Sequence, residues 1–169
     1  DPTEYKVLTG DFNICDSKEQ IYPFLEDYNI ANGKDGVWFD TFNGPSTSNN
    51  IAIDNIITTR NMELKDVQMV DTSALSDHNL FYAEFELLEE AVVSTEYLDI
   101  LKDKANSLDT SIYTTESYAA VETALSAANA LAEDASQEEI NEVVNELKDA
   151  LDGLVVQNAN PNLALNKPV

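Results

Sequence analysis

The apolar residues of this chain keep two different rhythms, and the change of rhythm limits the fold more than any other feature. Up to about residue 90 they come in short runs, "EYKVL", "GVWFDTF", "AIDNIITT", "VQMVDT" and "FYAEFEL", divided by turns rich in Gly, Asn, Pro and Ser. Such runs, several of them alternating, read as strands with one face turned inward. From about Ala91 the spacing becomes three and four: Leu98, Leu101, Ala105 and Leu108, then Tyr118, Val121, Leu125, Ala128 and Leu131, then Ile140, Val143, Leu147, Leu151 and Leu154. Each set is the buried stripe of an amphipathic helix. The two halves bury their faces by different geometries, so the chain reads as two domains in succession.

Residues 1–90 are expected to be α+β: a partial β-sandwich with flanking helices. "EYKVL" is a strand that runs into a turn at Gly10, which leaves Asp11 and Asn13 just past its end. "SKEQIYPFLEDYNI" carries Ser17 and Gln20 at capping-box spacing and so predicts a short helix, with Pro23 blurring its boundary. "NGPSTSNN" is the clearest loop. Residues 91–156 are expected to form an all-α three-helix bundle, opened at its third helix by the capping box "SQEE" and closed near Gly153. Short connectors favour antiparallel neighbours, hence an up-down-up order. Residues 157–169, "QNANPNLALNKPV", are Asn- and Pro-rich and read as a linker.

Charge removes some functions from consideration. Nine basic residues stand against 32 acidic ones, a net of −23, which repels polyanions such as nucleic acids and anionic membranes. A phosphate substrate would need bound cations to offset that field. No apolar run is long enough to span a bilayer, and the first residues show no basic-then-apolar leader. Cys15 is single, so no disulfide can form within the chain.

Three short acidic stretches carry the chemistry. They are "GDFN" with Asp11 and Asn13, "IAIDNII" with Asp54, and "LSDHN" with Asp77 and His78, the only histidine. A carboxylate inside an apolar run is costly to bury unpaired, so Asp54 needs a partner, and a histidine is a good one. Strand ends gathered on one rim would bring all five residues into one cleft. The set suits hydrolysis of a phosphate ester: carboxylates hold Mg²⁺ or another divalent cation, which polarises phosphoryl oxygens. An Asp can position water, an Asn amide can donate to a phosphoryl oxygen, and a His beside an acid can stay protonated and face developing charge. Each residue also has an ordinary structural reading. Asp11 and Asn13 suit a turn, Asp54 a loop cap, Asp77 a turn cap, and His78 a surface or satisfied core position.

The ordered set "GDFN", "IDNI" and "SDHN", with "WFDTF" before the second, resembles the endonuclease/exonuclease/phosphatase superfamily over roughly residues 4–87. The resemblance implies metal-dependent phosphodiester or phosphomonoester hydrolysis. It gives Asp11 the water and a place at the metal, Asn13 the phosphate, and Asp77 a place near the metal. It pairs Asp54 with His78 as orienting acid and histidine. It also implies that only the C-terminal part of the domain is here: the upstream half, with an asparagine and a glutamate for the metal, is absent, and no other histidine can substitute. Such a part is expected to be inactive alone and to expose a sheet edge and an inner face.

The helical half resembles the FIVAR module, carried by "YTTESYAAVETALSAANAL" and "SQEEINEVVNELKDALDGL", with Tyr118 where that family often has Trp. "NLALNKPV" resembles the opening strand of a discoidin-like (coagulation factor type C) carbohydrate-binding module. Together these imply a piece of an extracellular or cell-surface, modular bacterial hydrolase acting on a phosphoester, with a downstream carbohydrate-binding module. The rival expectation is a non-catalytic scaffold in which residues 95–155 are the functional unit, a spacer or a surface for a protein partner.

Overall fold

The structure, a computed structural model, describes residues 4–157. Two compact units divide between Tyr97 and Leu98. The expected linker beyond Gln157, and with it "NLALNKPV", lies outside the described residues.

The first unit holds two small antiparallel sheets. One has three strands, β1 (Val7–Asp11), β2 (Tyr28–Ile30) and β3 (Asp54–Thr59), in the order β1-β3-β2. The other pairs β4 (Met62–Val70) with β5 (Leu80–Leu87). β3 is the central strand of its sheet; Ile57 and Thr58 are buried, and Ile57 faces Leu8 on one side and Ile30 on the other. In the β4–β5 pair the register slips between Leu64 and Asp66. The skipped residue, Lys65, reaches both Glu63 and Glu86 at 2.8 Å, two like charges that stand opposite each other in the ladder.

Three expectations for this half need correcting. The segment after Ser17 is not an α-helix: successive three-residue turns lead into a single 3₁₀ turn, Tyr22–Glu26, with no cap from Ser17. Pro23 supplies no backbone N–H and disfavours helical geometry at Tyr22, which suits a tight turn better than a helix. Among the described residues before Glu96 the helical segments are short 3₁₀ turns, Tyr22–Glu26 and Lys34–Gly36, and none is an α-helix. "GVWFDTF" is not a strand either and makes one isolated bridge, Phe42 to His78. Its backbone is claimed by a side chain: Asn32 Oδ1 accepts from the Phe39 N–H at 2.8 Å and Asn32 Nδ2 donates to the Phe39 carbonyl at 3.1 Å. Gly10 lies inside β1, opposite Asn55, and the strand runs on to Asp11.

The core of this unit gathers Ile14, Ile21, Leu25, Ile30, Ile53, Ile57, Met62 and Leu64. Lys18 is buried with them. Its ammonium lies 4.8 Å from the Trp38 ring centroid and donates to the carbonyls of Ile14 and Cys15, while burial pushes its pKa down. β1 is different. It is an edge strand, and all five of its residues are exposed, Val7 and Leu8 among them. A groove of about 250 Å³ runs beside it, lined by Lys6, Val7, Leu8, Phe24, Tyr28 and Ile57.

The helices are α1 (Glu96–Asn106), α2 (Thr115–Ala130) and α3 (Gln137–Asp152). The starts of α2 and α3 are capped as local chemistry dictates. Thr114 accepts from the Ser117 N–H, and Ser136 and Glu139 form the full reciprocal capping box. Backbone bonds from Thr114 to Val155 and from Gln157 to Ile112 close the ends of the pair. The close packing is between α2 and α3, and α1 approaches neither as closely, so three helices are present with one tight pair.

The buried faces differ from the expected stripes in two places. On α3 the buried set is Ile140, Val144, Leu147 and Leu151, with Val144 in place of Val143. At about 100° per residue, Val144 lies about 40° and Val143 about 60° from the axis set by the other residues. On α2 the buried set is Val121, Ala124 and Ala128, while Tyr118, Leu125 and Leu131 are only half-buried. A face of small residues lets two helices approach closely, which fits the tight α2–α3 pairing.

Candidate active site

The site is built where β1 ends and β3 begins. Antiparallel register sets Asp11 directly opposite Asp54, two carboxylates across one ladder position. Such a pair repels unless positive charge or hydrogen-bond donors offset it. Both are present. The Asn13 N–H donates to Asp11 Oδ1 at 2.7 Å, in a turn that puts Asn13 at φ 54°, a left-handed conformation that Asn tolerates better than most residues. His78 Nδ1 lies 2.7 Å from Asp54 Oδ2.

The third motif reaches this rim through backbone pairing with residues 41–43. The Asn79 N–H donates to the Thr41 carbonyl and the Asn43 N–H to the Asp77 carbonyl, both at 2.7 Å. Phe42 bridges His78 between them and sets its ring edge-on to the imidazole at 5.3 Å and 70°. Asn79 is buried and locks the turn: its side chain bonds the Asp40 carbonyl, the Asn43 amide group and the Thr72 N–H. Behind Asp54, Asn55 is also buried. Its Oδ1 accepts from the N–H groups of Ala31, Asn32 and Ile56, and its Nδ2 donates to the Asn32 carbonyl. Asn32 Nδ2 donates in turn to the Asp54 carbonyl at 3.0 Å.

The electrostatics follow from this placement. The hydrogen bond with Asp54 raises the His78 pKa above the ordinary imidazole value of 6.5; partial burial opposes it, and the charges of Asp54, Asp77 and Asp11 add to it. The side chains of His78 and Asp54 are 33% and 25% exposed, sheltered yet open to a ligand. With Nδ1 engaged by Asp54, Nε2 is the nitrogen left for a substrate.

The structure thus joins Asp54 to His78, sets Asp11 opposite Asp54, and brings the Asp77 charge to bear on His78. Asn13 is exposed and tied to Asp11 through its backbone. For the expected metal the fit is incomplete: among the described residues no three His, Cys, Asp or Glu side chains are grouped so as to hold an ion. Asp11 and Asp77 supply carboxylates of the right kind, but these residues do not make a metal centre by themselves.

Residues 1–78 match the model of the Endonuclease/Exonuclease/phosphatase family. All five candidate residues fall inside that stretch. The match agrees with a portion of such a domain in the first unit; enzymes of that family generally use divalent metal ions. No curated protein matches. Two solved structures are similar: the CBM51-2 and INT domains from Clostridium perfringens ZmpB, 23% identical with a TM-score of 0.39, covering 63% of this chain and 22% of that one; and CBM51-2 in complex with GlcNAc and INT domains of the same protein, 19% identical with a TM-score of 0.40, covering 79% and 29%. The chain spans less than a third of those chains' length, and at these scores the likeness does not establish a common fold.

Sequence reasoning missed the residues that hold the site: Thr41, Phe42, Asn55 and Asn79. For Asn55 the signal was available, because the cost of burying a polar group in "IAIDNII" applies to it as much as to Asp54. For Thr41 and Phe42 no local pattern distinguishes them from strand residues.

Proposed function

We propose that the first unit carries the histidine–aspartate end of a phosphoester-hydrolysing site. The observation that supports this reading best is the Asp54–His78 hydrogen bond at a rim shared with Asp11 and Asp77. Asp54 holds the imidazole by Nδ1 and favours its charged form, so Nε2 presents a proton to the negative charge that develops on a phosphoryl group. Asp11, fixed by the turn at Asn13, orients or deprotonates the attacking water. The Asn13 amide, exposed beside it, donates to a non-bridging phosphoryl oxygen. A raised His78 pKa favours the role of proton donor over that of base at neutral pH. Mg²⁺ or another divalent cation belongs to this proposal as a requirement, with Asp11 and Asp77 among its carboxylates and its other ligands from outside this chain.

The test is hydrolysis of 4-nitrophenyl phosphate and bis(4-nitrophenyl) phosphate, with and without Mg²⁺, by the full-length protein that contains this chain. His78→Ala is expected to lower the rate by at least about 100-fold. Undiminished activity in that variant would remove the assigned role. The 169-residue chain alone is expected to turn over neither ester, and turnover by it would contradict the incomplete site.

The helical unit is proposed as a FIVAR-like spacer or protein-contact module of a secreted or cell-surface bacterial protein. The row of exposed acids on α3, Glu138, Glu142, Glu146 and Asp149 among them, supports a solvated face that takes a basic partner. A partner held equally well after Glu142→Lys and Glu146→Lys would contradict that face, and recovery of the native protein from the cytosol would contradict the location.

A further inference from the structure

Thr41 has no exposed surface. It sits in the segment 37–42, which belongs to no strand. A buried hydroxyl in such a place needs a partner, and the one it has is the backbone of the site: Thr41 Oγ1 accepts from the Asp54 N–H at 3.0 Å. The same residue's carbonyl accepts from the Asn79 N–H at 2.7 Å, and its own N–H donates to the Ile51 carbonyl at 3.2 Å. One residue therefore holds both sides of the Asp54–His78 pair, the aspartate through its amide and the histidine through the next residue in the chain.

We infer that Thr41 is a positioning residue of the Asp54–His78 pair. This rests on the reading of that pair given above. The loop of connections is closed: Thr41 to Asp54, Asp54 Oδ2 to His78 Nδ1, and the His78 turn back to Thr41. Closure matters because Asp54 is the first residue of β3, where strand pairing alone leaves the backbone half-free. Its neighbours complete the frame. Phe42 lies edge-on to the imidazole, and a methyl group at Gly44 would stand inside the Phe42 ring, so glycine there leaves the ring room to reach His78. The hydroxyl of Thr41 does not touch substrate or imidazole. It acts by setting where the Asp54 carboxylate begins, and a displaced carboxylate loses the short contact with His78 Nδ1 that holds the imidazole in place.

The chain contains one histidine, so its ring resonances are seen without overlap and report this pair alone. The test compares, at one fixed pH, the imidazole Nδ1–H proton resonance of His78, which the contact with Asp54 Oδ2 holds downfield, in the unmodified chain, Thr41→Val, Thr41→Ser and Asp54→Asn. Val keeps the shape and removes the acceptor; Ser keeps the acceptor. The expected result is that Thr41→Val moves the resonance upfield, in the direction of Asp54→Asn, while Thr41→Ser leaves it in place. A resonance unchanged by Thr41→Val overturns the inference, and so does an equal shift in Thr41→Ser. A resonance unchanged by Asp54→Asn overturns instead the reading of the pair beneath it. Amide exchange of Asp54 in the unmodified chain supplies a measurement that needs no variant to fold: slow exchange is expected, and free exchange overturns the inference.

Discussion

"IAIDNII" and "SQEEINEVVNELKDAL" both bury residues at regular spacing, but they hold their structure by different means. In the helix, regularity is carried by the apolar stripe of Ile140, Val144, Leu147 and Leu151 and by a capping box four residues long. In the strand, the apolar positions only start the job. Asn55, Asn32, Thr41 and Asn79, all buried, stitch backbone segments that make no ladder of their own. The difference teaches where chemistry can be placed. A network of buried polar side chains can hold Asp54 and His78 in fixed relation across 24 residues of sequence, which a stripe of methyl groups cannot do.

The comparison can be broken by disturbing one half and asking whether the other responds. Trp38 is the only tryptophan and lies in the first unit, while the α-helices begin at Glu96, so fluorescence and far-ultraviolet dichroism report different halves. Asn55→Ala takes the side-chain acceptor from the buried Asn32 N–H and the donor from the Asn32 carbonyl, while the Ala31 N–H keeps the Ile56 carbonyl, and is expected to cost about 3 kcal/mol in urea unfolding followed at Trp38. The dichroism transition should hardly move; a joint shift would mean the halves share one network. Leu147→Ala empties a site with no exposed surface and should cost about 3 kcal/mol, seen in dichroism and not at Trp38. Ser136→Ala should cost about 1 kcal/mol in the same signal, since Glu139 loses its reciprocal partner.

The smallest expected effect is on pH. His78 has a folded-state pKa above its unfolded value of 6.5, so its contribution to stability is complete below 6.5 and is lost as pH rises through the folded value. The Trp38 transition should therefore weaken slightly on going from acid to alkaline sides of that window. Asp54→Asn should flatten the dependence, and the helical transition should show none of it.

Much of the helical half was legible in the sequence because its information is local. "SQEE" gives its own cap, and a 3.6-residue period predicts a face to within one residue, so Val143 and Val144 were the only choice to be made on α3. The α2 face was misjudged because large residues attract attention, while Ala124 and Ala128 decide how near α3 can come. In the first half the chemistry was more legible than the frame. Asp54 stood out as a charge in an apolar run, and its partner in the structure is the single histidine. The strand in "GVWFDTF" and the helix after Ser17 were not to be had from pattern, because Asn32 captures the backbone of Phe39 from seven residues away and Pro23 favours a turn. Such captures depend on tertiary proximity and leave no period in the sequence.

The claim on which the rest depends is that His78 and Asp54 form a charged pair within this chain. A pH titration of the His78 ring resonances measures it without substrate, metal or mutation. A midpoint above 6.5 is the predicted result, and a midpoint at or below 6.5 would contradict the pair and the hydrolytic role built on it.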